Sequence, residues 1–206
     1  MGVVIGLGLL AEMAAWWLIS RRGQDVWRVM PPVLLTMGAV AIVVQWGDLR
    51  LGTPVWMVAG LFSGVAFYAA TRAFVWLASR WEPFRRQTAD KYREATEVSL
   101  SRSLLLSVAL MVPCEELFWR GLTQQELTTT SLGFAGAAIA VWFLYLLANL
   151  PSASLPIIAG ASVGGALWAG LWWSSHGVLA PLASHILWTG LMLTFPPAKG
   201  QEVAAG

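Results

Sequence analysis

Glu115, Glu116 and Arg120 lie in the stretch VPCEELFWRG, residues 112–121, where the neighbours are mostly apolar. From Ser103 to Phe195 the only other charged residue is Glu126, and both histidines of the chain, His176 and His185, fall in that region. Carboxylates, a guanidinium and an imidazole are the groups of acid–base and hydrolytic chemistry. In an oily segment such groups are costly, roughly 2.5–3.5 kcal/mol each at a bilayer centre on insertion scales. They therefore face a protein interior or a wet cavity, and mark function by default.

Spacing divides their roles. Glu116 and Arg120 are four apart, so on a helix they share a face and can pair. Glu115 is rotated about 100° from Glu116. Arg120 can then neutralise one carboxylate and leave the other free to take a proton from water. The plainer reading of the same spacing is a structural ion pair, with Glu115 reaching for the interface. His185, in APLASHILWTG, is four residues before Thr189 and shares its face. A lone histidine on an apolar helix is more often a hydrogen-bonded core residue; Thr189 and the distant glutamates are what point to chemistry. His176, in SSHGV, reads as a solvated loop residue, and Glu126, in TQQELTTT, as interfacial. Cys114 could be a nucleophile with His185 as its base, or simply a small core residue. As the one cysteine it forms no internal disulfide. There is no HExxH pattern, and nitrogen ligands are few, so neither a metal nor a cofactor is expected. Buried ionisable groups also line ion pathways, but these cluster at one level instead of forming a relay.

The elements that hold these residues must lie in lipid. Of 206 residues, 57% are hydrophobic and 12% charged, about half the charge of a soluble domain. The 13 tryptophans suit membrane–water boundaries. A net charge of +2 is too small to argue for a nucleic-acid partner. The expected fold is all-α, a polytopic transmembrane bundle of about seven spans: Val3–Ser20, Val29–Trp46, Val55–Ala78, Leu104–Gly121, Gly133–Leu150, Leu155–Trp173 and Val178–Phe195. The first is read as a span and not a signal peptide, since it lacks a basic start, contains Glu12 and Trp16–Trp17, and has Arg21–Arg22 at its far end. Pro31–Pro32, Pro54, Pro151 and Pro156 are expected near helix starts, where a missing N–H costs little. Pro196–Pro197 ends the last helix, and Pro113 bends the fourth span just before the carboxylates.

Residues 80–102 are strongly polar, with six basic side chains (Arg80, Arg85, Arg86, Lys91, Arg93, Arg102) against Glu82, Asp90, Glu94 and Glu97. They read as a solvated or interfacial helix linking two bundles. Its basic excess and that of Arg21, Arg22 and Arg28 place both on the cytoplasmic side, with the N-terminus outside and an odd number of spans. The chain then divides into N-terminal helices (1–79), a polar linker (80–102), a catalytic bundle (103–195) and a tail (196–206). The small-residue run 160–170 reads as a close helix-packing face.

EELFWR resembles the EExxxR motif of the CAAX-prenyl protease and bacteriocin-processing (abortive infection) family of intramembrane proteases. GVLAPLASHILWTG resembles that family's closing motif, a proline four residues before a histidine and a polar residue four after it. The family's middle motif, Phe, three residues, then His, corresponds to Tyr145–Asn149 here. The resemblance spans roughly Leu104–Phe195. It implies an intramembrane endopeptidase acting on a membrane-associated or lipidated protein or peptide, in the lipid bilayer of a bacterial or archaeal-type plasma membrane. Glu115 would activate water, Glu116 and Arg120 would hold the site together, and His185 would donate to the oxyanion. Two positions depart from the pattern. Asn149 replaces the family's histidine, and an amide cannot accept and return a proton at neutral pH. Thr189 replaces the usual terminal Asn or Asp. These departures motivate a second reading, a catalytically silent homologue that binds or sorts such substrates or confers immunity.

Overall fold

The computed structural model of the protein describes residues 1–96 and 98–197. Glu97 of the polar segment, and the expected tail beyond residue 197, lie outside them. The described residues form eight helices and no strand: α1 (Gly2–Arg22), α2 (Val26–Val44), α3 (Val55–Ala78), α4 (Glu82–Thr96), α5 (100–127), α6 (Gly133–Asn149), α7 (Leu155–Ser175) and α8 (Leu179–Thr194).

Five of these, α1, α2, α3, α6 with the turn that follows it, and α7, are long and apolar enough to cross a membrane. The expected fourth and seventh spans differ in form. Residues 100–127 are continuously helical, but Leu105–Met111 and Leu117–Gln124 are wound with wider π turns, flanking the α-helical Val112–Glu116. The first wide stretch ends just ahead of Pro113, with the Val112 N–H reaching back five residues to the Ser107 carbonyl. Such turns are rare and concentrate at functional sites. Helix α8 has 16 residues, about 24 Å at 1.5 Å per residue, short of a ~30 Å hydrocarbon core.

Helix α2 also corrects an expectation. Asp25 caps it by accepting from the Trp27 N–H at 2.8 Å, so the helix begins at Val26 and Pro31–Pro32 fall inside it, not at its start. The sequence pattern is inside-out relative to a soluble protein. Large apolar side chains such as Phe62 (73% exposed), Val43 and Val163 face outward, while Glu12, Glu116, Arg120, Gln124, Asn149 and His185 are buried. An apolar exterior of this kind fits a multi-pass integral membrane protein.

The polar segment docks on the bundle by one face. Phe84 of α4 is buried and meets Phe74 edge-on at 5.4 Å. The Gln87 side-chain oxygen accepts from the Leu155 N–H at 2.6 Å, and Trp27 Nε1 donates to the Glu94 carbonyl at 3.2 Å. Its outer face is laced by ion pairs of Glu82 with Arg85 and Arg86, of Lys91 with Glu94 and of Arg93 with Asp90. Helix α4 thus closes the end of the bundle where the α1–α2 and α6–α7 connections meet.

Candidate active site

Four helices bring the buried polar groups together. On α5, Glu116 Oε1 accepts from Arg120 Nη1 at 3.3 Å, the i,i+4 pair expected from spacing. The same oxygen lies 2.8 Å from His185 Nδ1 on α8. Glu116 and Arg120 are fully buried, and His185 is 4% exposed. A carboxylate on Nδ1 fixes ring orientation and leaves Nε2 free for other work. Helix α8 is keyed to α3 by the Ser63 hydroxyl, which bonds the hydroxyl of Ser184, the neighbour of His185, at 3.0 Å. Trp188 Nε1 donates to Thr71 Oγ1 at 3.1 Å along the same seam.

Arg120 is held on three sides. Besides Glu116, its Nη2 donates to the Gly165 carbonyl at 3.3 Å. Its guanidinium lies over Tyr145 at 4.7 Å and Trp168 at 5.6 Å. The run 160–170 therefore supplies a backbone acceptor as well as a packing face. Glu115, half-buried, lies against the Tyr145 hydroxyl and in the field of His185, Glu116 and Arg120.

Asn149 falls in the same cluster, through a residue that sequence reasoning passed over. Its Nδ2 donates to the Tyr145 carbonyl at 2.9 Å and to Glu12 Oε1 at 3.3 Å. The other oxygen of Glu12 accepts from Trp119 Nε1 at 2.9 Å. Glu12 is 1% exposed and feels the charges of Glu115 and Arg120. Its helix can come this close because Gly8, one turn earlier, has no side chain: a Cβ there would lie 2.0 Å from the Phe118 ring. The signal was present, since a lone carboxylate in an apolar span is a functional candidate by the rule applied to Glu115. Its partners, 107 and 137 residues away, were not visible.

The remaining expected residues lie apart. Thr189 is half-buried one turn beyond His185 and makes no side-chain hydrogen bond among the described residues. Cys114 faces away, packed on Gly38 of α2. His176 is exposed, in a left-handed conformation (φ 53°) at the end of α7. Glu126 accepts from Gln45 Nε2 at 2.9 Å at the far end of α5. Among the described residues no three His, Cys, Asp or Glu side chains are grouped to hold a metal ion.

The clustered groups and their order along α5, α6 and α8 correspond to a family pattern. Residues 98–191 match the family model described as type II CAAX prenyl endopeptidase, Rce1-like. This segment is an Rce1-like CAAX endopeptidase domain. It begins just before α5 and takes in α6, α7 and most of α8, with Glu115, Glu116, Arg120, Asn149, His185 and Thr189 inside it. Glu12, on α1, lies outside the CAAX endopeptidase domain yet in contact with its Asn149 and Trp119. No curated protein and no solved structure matches the chain.

Proposed function

We propose that the protein is an intramembrane endopeptidase that hydrolyses a peptide bond of a membrane-associated or lipidated protein, with a water activated by Glu115. The observation that carries this reading is the Glu116–His185 contact at 2.8 Å. It joins the two ends of the family domain, and the imidazole acts electrostatically on Glu115, the neighbour of Glu116. In the proposed reaction the water oxygen bonds the peptide carbonyl carbon while Glu115 takes its proton. The carbonyl electron pair moves onto oxygen. His185, as imidazolium with Nδ1–H given to Glu116, offers Nε2–H to that oxyanion, a preorganised donor of the kind worth about 3–4 kcal/mol. Collapse reforms the carbonyl, the C–N bond breaks, and the amine nitrogen takes the proton from Glu115. Arg120 pairs with Glu116 and keeps it aimed at the ring.

The same reading takes α5 and α8 as further spans, seven in all, with the N-terminus outside. The α1–α2 loop, α4 and the α6–α7 loop then share the cytoplasmic face. There they line a polar cavity of about 500 Å³. The second reading, a silent homologue that binds or sorts, is favoured by one observation: Asn149 stands where the family carries histidine. The test is cleavage in proteoliposomes, using a quenched-fluorescent peptide ending in a prenylated cysteine segment and single-span reporter proteins. Cleavage that is abolished in a folded Glu115→Gln variant supports the endopeptidase. Binding of these probes without turnover, unchanged by Glu115→Gln, supports the silent homologue.

A further inference from the structure

The polar cavity at the α4 end of the bundle has no part in the reaction as written. At about 500 Å³ it has the volume of a ligand site. The end of α1, the α1–α2 loop, α4 and the α6–α7 loop form its walls. The charged side chains in those walls, among the described residues, are Asp25, Asp90, Glu94 and Lys91. Three carboxylates against one ammonium leave the lining two charges negative. Lys91 is already committed to Glu94, at 2.8 Å. The cations that meet the other two carboxylates lie largely in solvent. Arg28 is 3.4 Å from Asp25 with its side chain 87% exposed, and Arg93, paired with Asp90, is 75% exposed. Pairs this open contribute little, so a better-buried cation can replace them. Ser154 is an independent sign of a ligand. It stands in the wall, is 4% exposed, and its buried hydroxyl oxygen has no partner among the described residues. Such a hydroxyl can accept from a cationic donor.

The cavity adjoins the buried cluster. Ser152, in one wall, is three residues past Asn149, whose amide bonds the Tyr145 carbonyl at 2.9 Å and Glu12 at 3.3 Å. Ile19, also in the lining, is seven residues past Glu12 on α1, about 10 Å along the helix at 1.5 Å per residue. An extended peptide covers that distance in about three residues at ~3.3 Å each.

We propose that this cavity is a substrate subsite that takes a lysine or arginine side chain. That side chain stands roughly three to five residues from the scissile bond. The substrate class is then a membrane-associated protein with a basic residue close to its cleavage point. The ammonium or guanidinium sets its charge among Asp25, Asp90 and Glu94 and donates to their oxygens and to Ser154 Oγ. The sign of the charge suits the side of the membrane, because cytoplasmic flanks of membrane segments are rich in Lys and Arg. The subsite binds and makes no bond, so its effect falls on KM and not on kcat.

This inference rests on the endopeptidase reading, and the experiment separates the two. Full-length wild type, Glu115→Gln and Asp90→Asn/Glu94→Gln proteins are placed in liposomes of zwitterionic lipid, which removes attraction to anionic headgroups. Asp25 is left intact because it caps α2. The probes are single-span reporters identical but for one Lys, Gln or Glu, moved through the polar flanks on both sides of the span. Cleavage gives KM and kcat, and fluorescence anisotropy gives Kd. At about three to five residues from the cut bond, Lys should lower KM about tenfold relative to Gln, as a charge-assisted contact does. Glu should be weaker than Gln, and kcat should stay within about twofold. The double variant should lose most of the Lys preference and cleave the Gln reporter as wild type does. Reporters cleaved with KM within about twofold of one another at every position overturn the inference and leave the endopeptidase reading standing. A Lys preference that survives in the double variant also overturns it, since another surface then reads the charge. No cleavage, with a Lys preference in Kd that the double variant lacks, overturns the endopeptidase reading and keeps the subsite. No cleavage and no charge-dependent binding overturns both. If the double variant does not fold, Asp90→Asn and Glu94→Gln are used singly, and an unchanged Lys preference in both overturns the inference.

Discussion

The indole of Trp168 lies flat on the imidazole of His185, with ring centroids 3.5 Å apart and planes 17° from parallel. The indole is also under the Arg120 guanidinium and edge-on to Phe67 at 6.1 Å. One buried side chain of α7 thus sets the plane of the ring that faces Glu116 and supports the cation that pairs with it. Trp168→Ala should cost about 3–5 kcal/mol as a buried aromatic truncation. It should also lower cleavage more than the stability loss explains, because the ring is freed to turn. Trp168→Phe, which keeps a flat face, should retain most activity. Thermal unfolding in detergent beside proteoliposome cleavage checks both; equal activity of the Ala and wild-type proteins would remove Trp168 from the site.

Arg120 should not tolerate lysine. Its fork reaches Glu116 and the Gly165 carbonyl while the plane lies against Tyr145 and Trp168. An ammonium is a single compact charge and cannot meet these demands together. Arg120→Lys should therefore resemble Arg120→Ala, with unfolding free energy lowered by about 3–5 kcal/mol, the usual result of leaving one partner of a buried pair alone. Glu116→Gln should fall in the same range, since two cationic or donor groups converge on Glu116 Oε1. Denaturation in mild detergent, compared at equal detergent-to-protein ratio, measures all three.

These residues differ in how readable they were. Glu116 and Arg120 are four apart, so a helical pitch alone places them on one face. Long apolar runs made the five membrane-length helices plain. Three features were hidden for physical reasons. A backbone carbonyl such as that of Gly165 has no letter of its own in the sequence. Glu12 gains its meaning from α5 and α6, and no local pattern records a partner more than a hundred residues away. The wide turns of α5, one ending just ahead of Pro113 and one beginning at Leu117, have no letter pattern of their own, whereas the proline by itself suggested only a bend. The Glu12 bridge from Trp119 to Asn149 places α5 and α6 in one cluster.

The ends of α4 give a pH prediction outside the membrane-spanning helices. Hydrogen bonds from Arg85 and Arg86 hold the Glu82 carboxyl below its ordinary value of 4.5. A group whose value is lower in the folded state stabilises that state when ionised in both. The contribution is thus present above pH 4.5 and fades as pH falls through the lower, folded-state value. Amide exchange at the start of α4, corrected for intrinsic rates, should quicken below pH 4.5 in the wild type. Glu82→Gln should lack that step. Since Glu82 is exposed, added salt should shrink the difference.

Gly38 and Cys114 supply the last test, and it bears on which group attacks. The α2–α5 crossing is so close that a Cβ on Gly38 would lie 2.5 Å from Cys114 Cβ and 2.7 Å from its Cα. Gly38→Ala should destabilise by about 1–3 kcal/mol, as overpacking does. Cys114→Ala should relieve the clash only in part, because it removes the Sγ, also 2.7 Å away, but keeps the Cβ and Cα; full rescue would mean the thiol alone was the obstacle. Cys114→Ala by itself should leave cleavage within about twofold of wild type, since the sulfur is turned toward α2 and away from His185, and a nucleophile cannot be deleted without loss of turnover. A dead but folded Cys114→Ala protein would transfer the attack from a glutamate-bound water to the thiol.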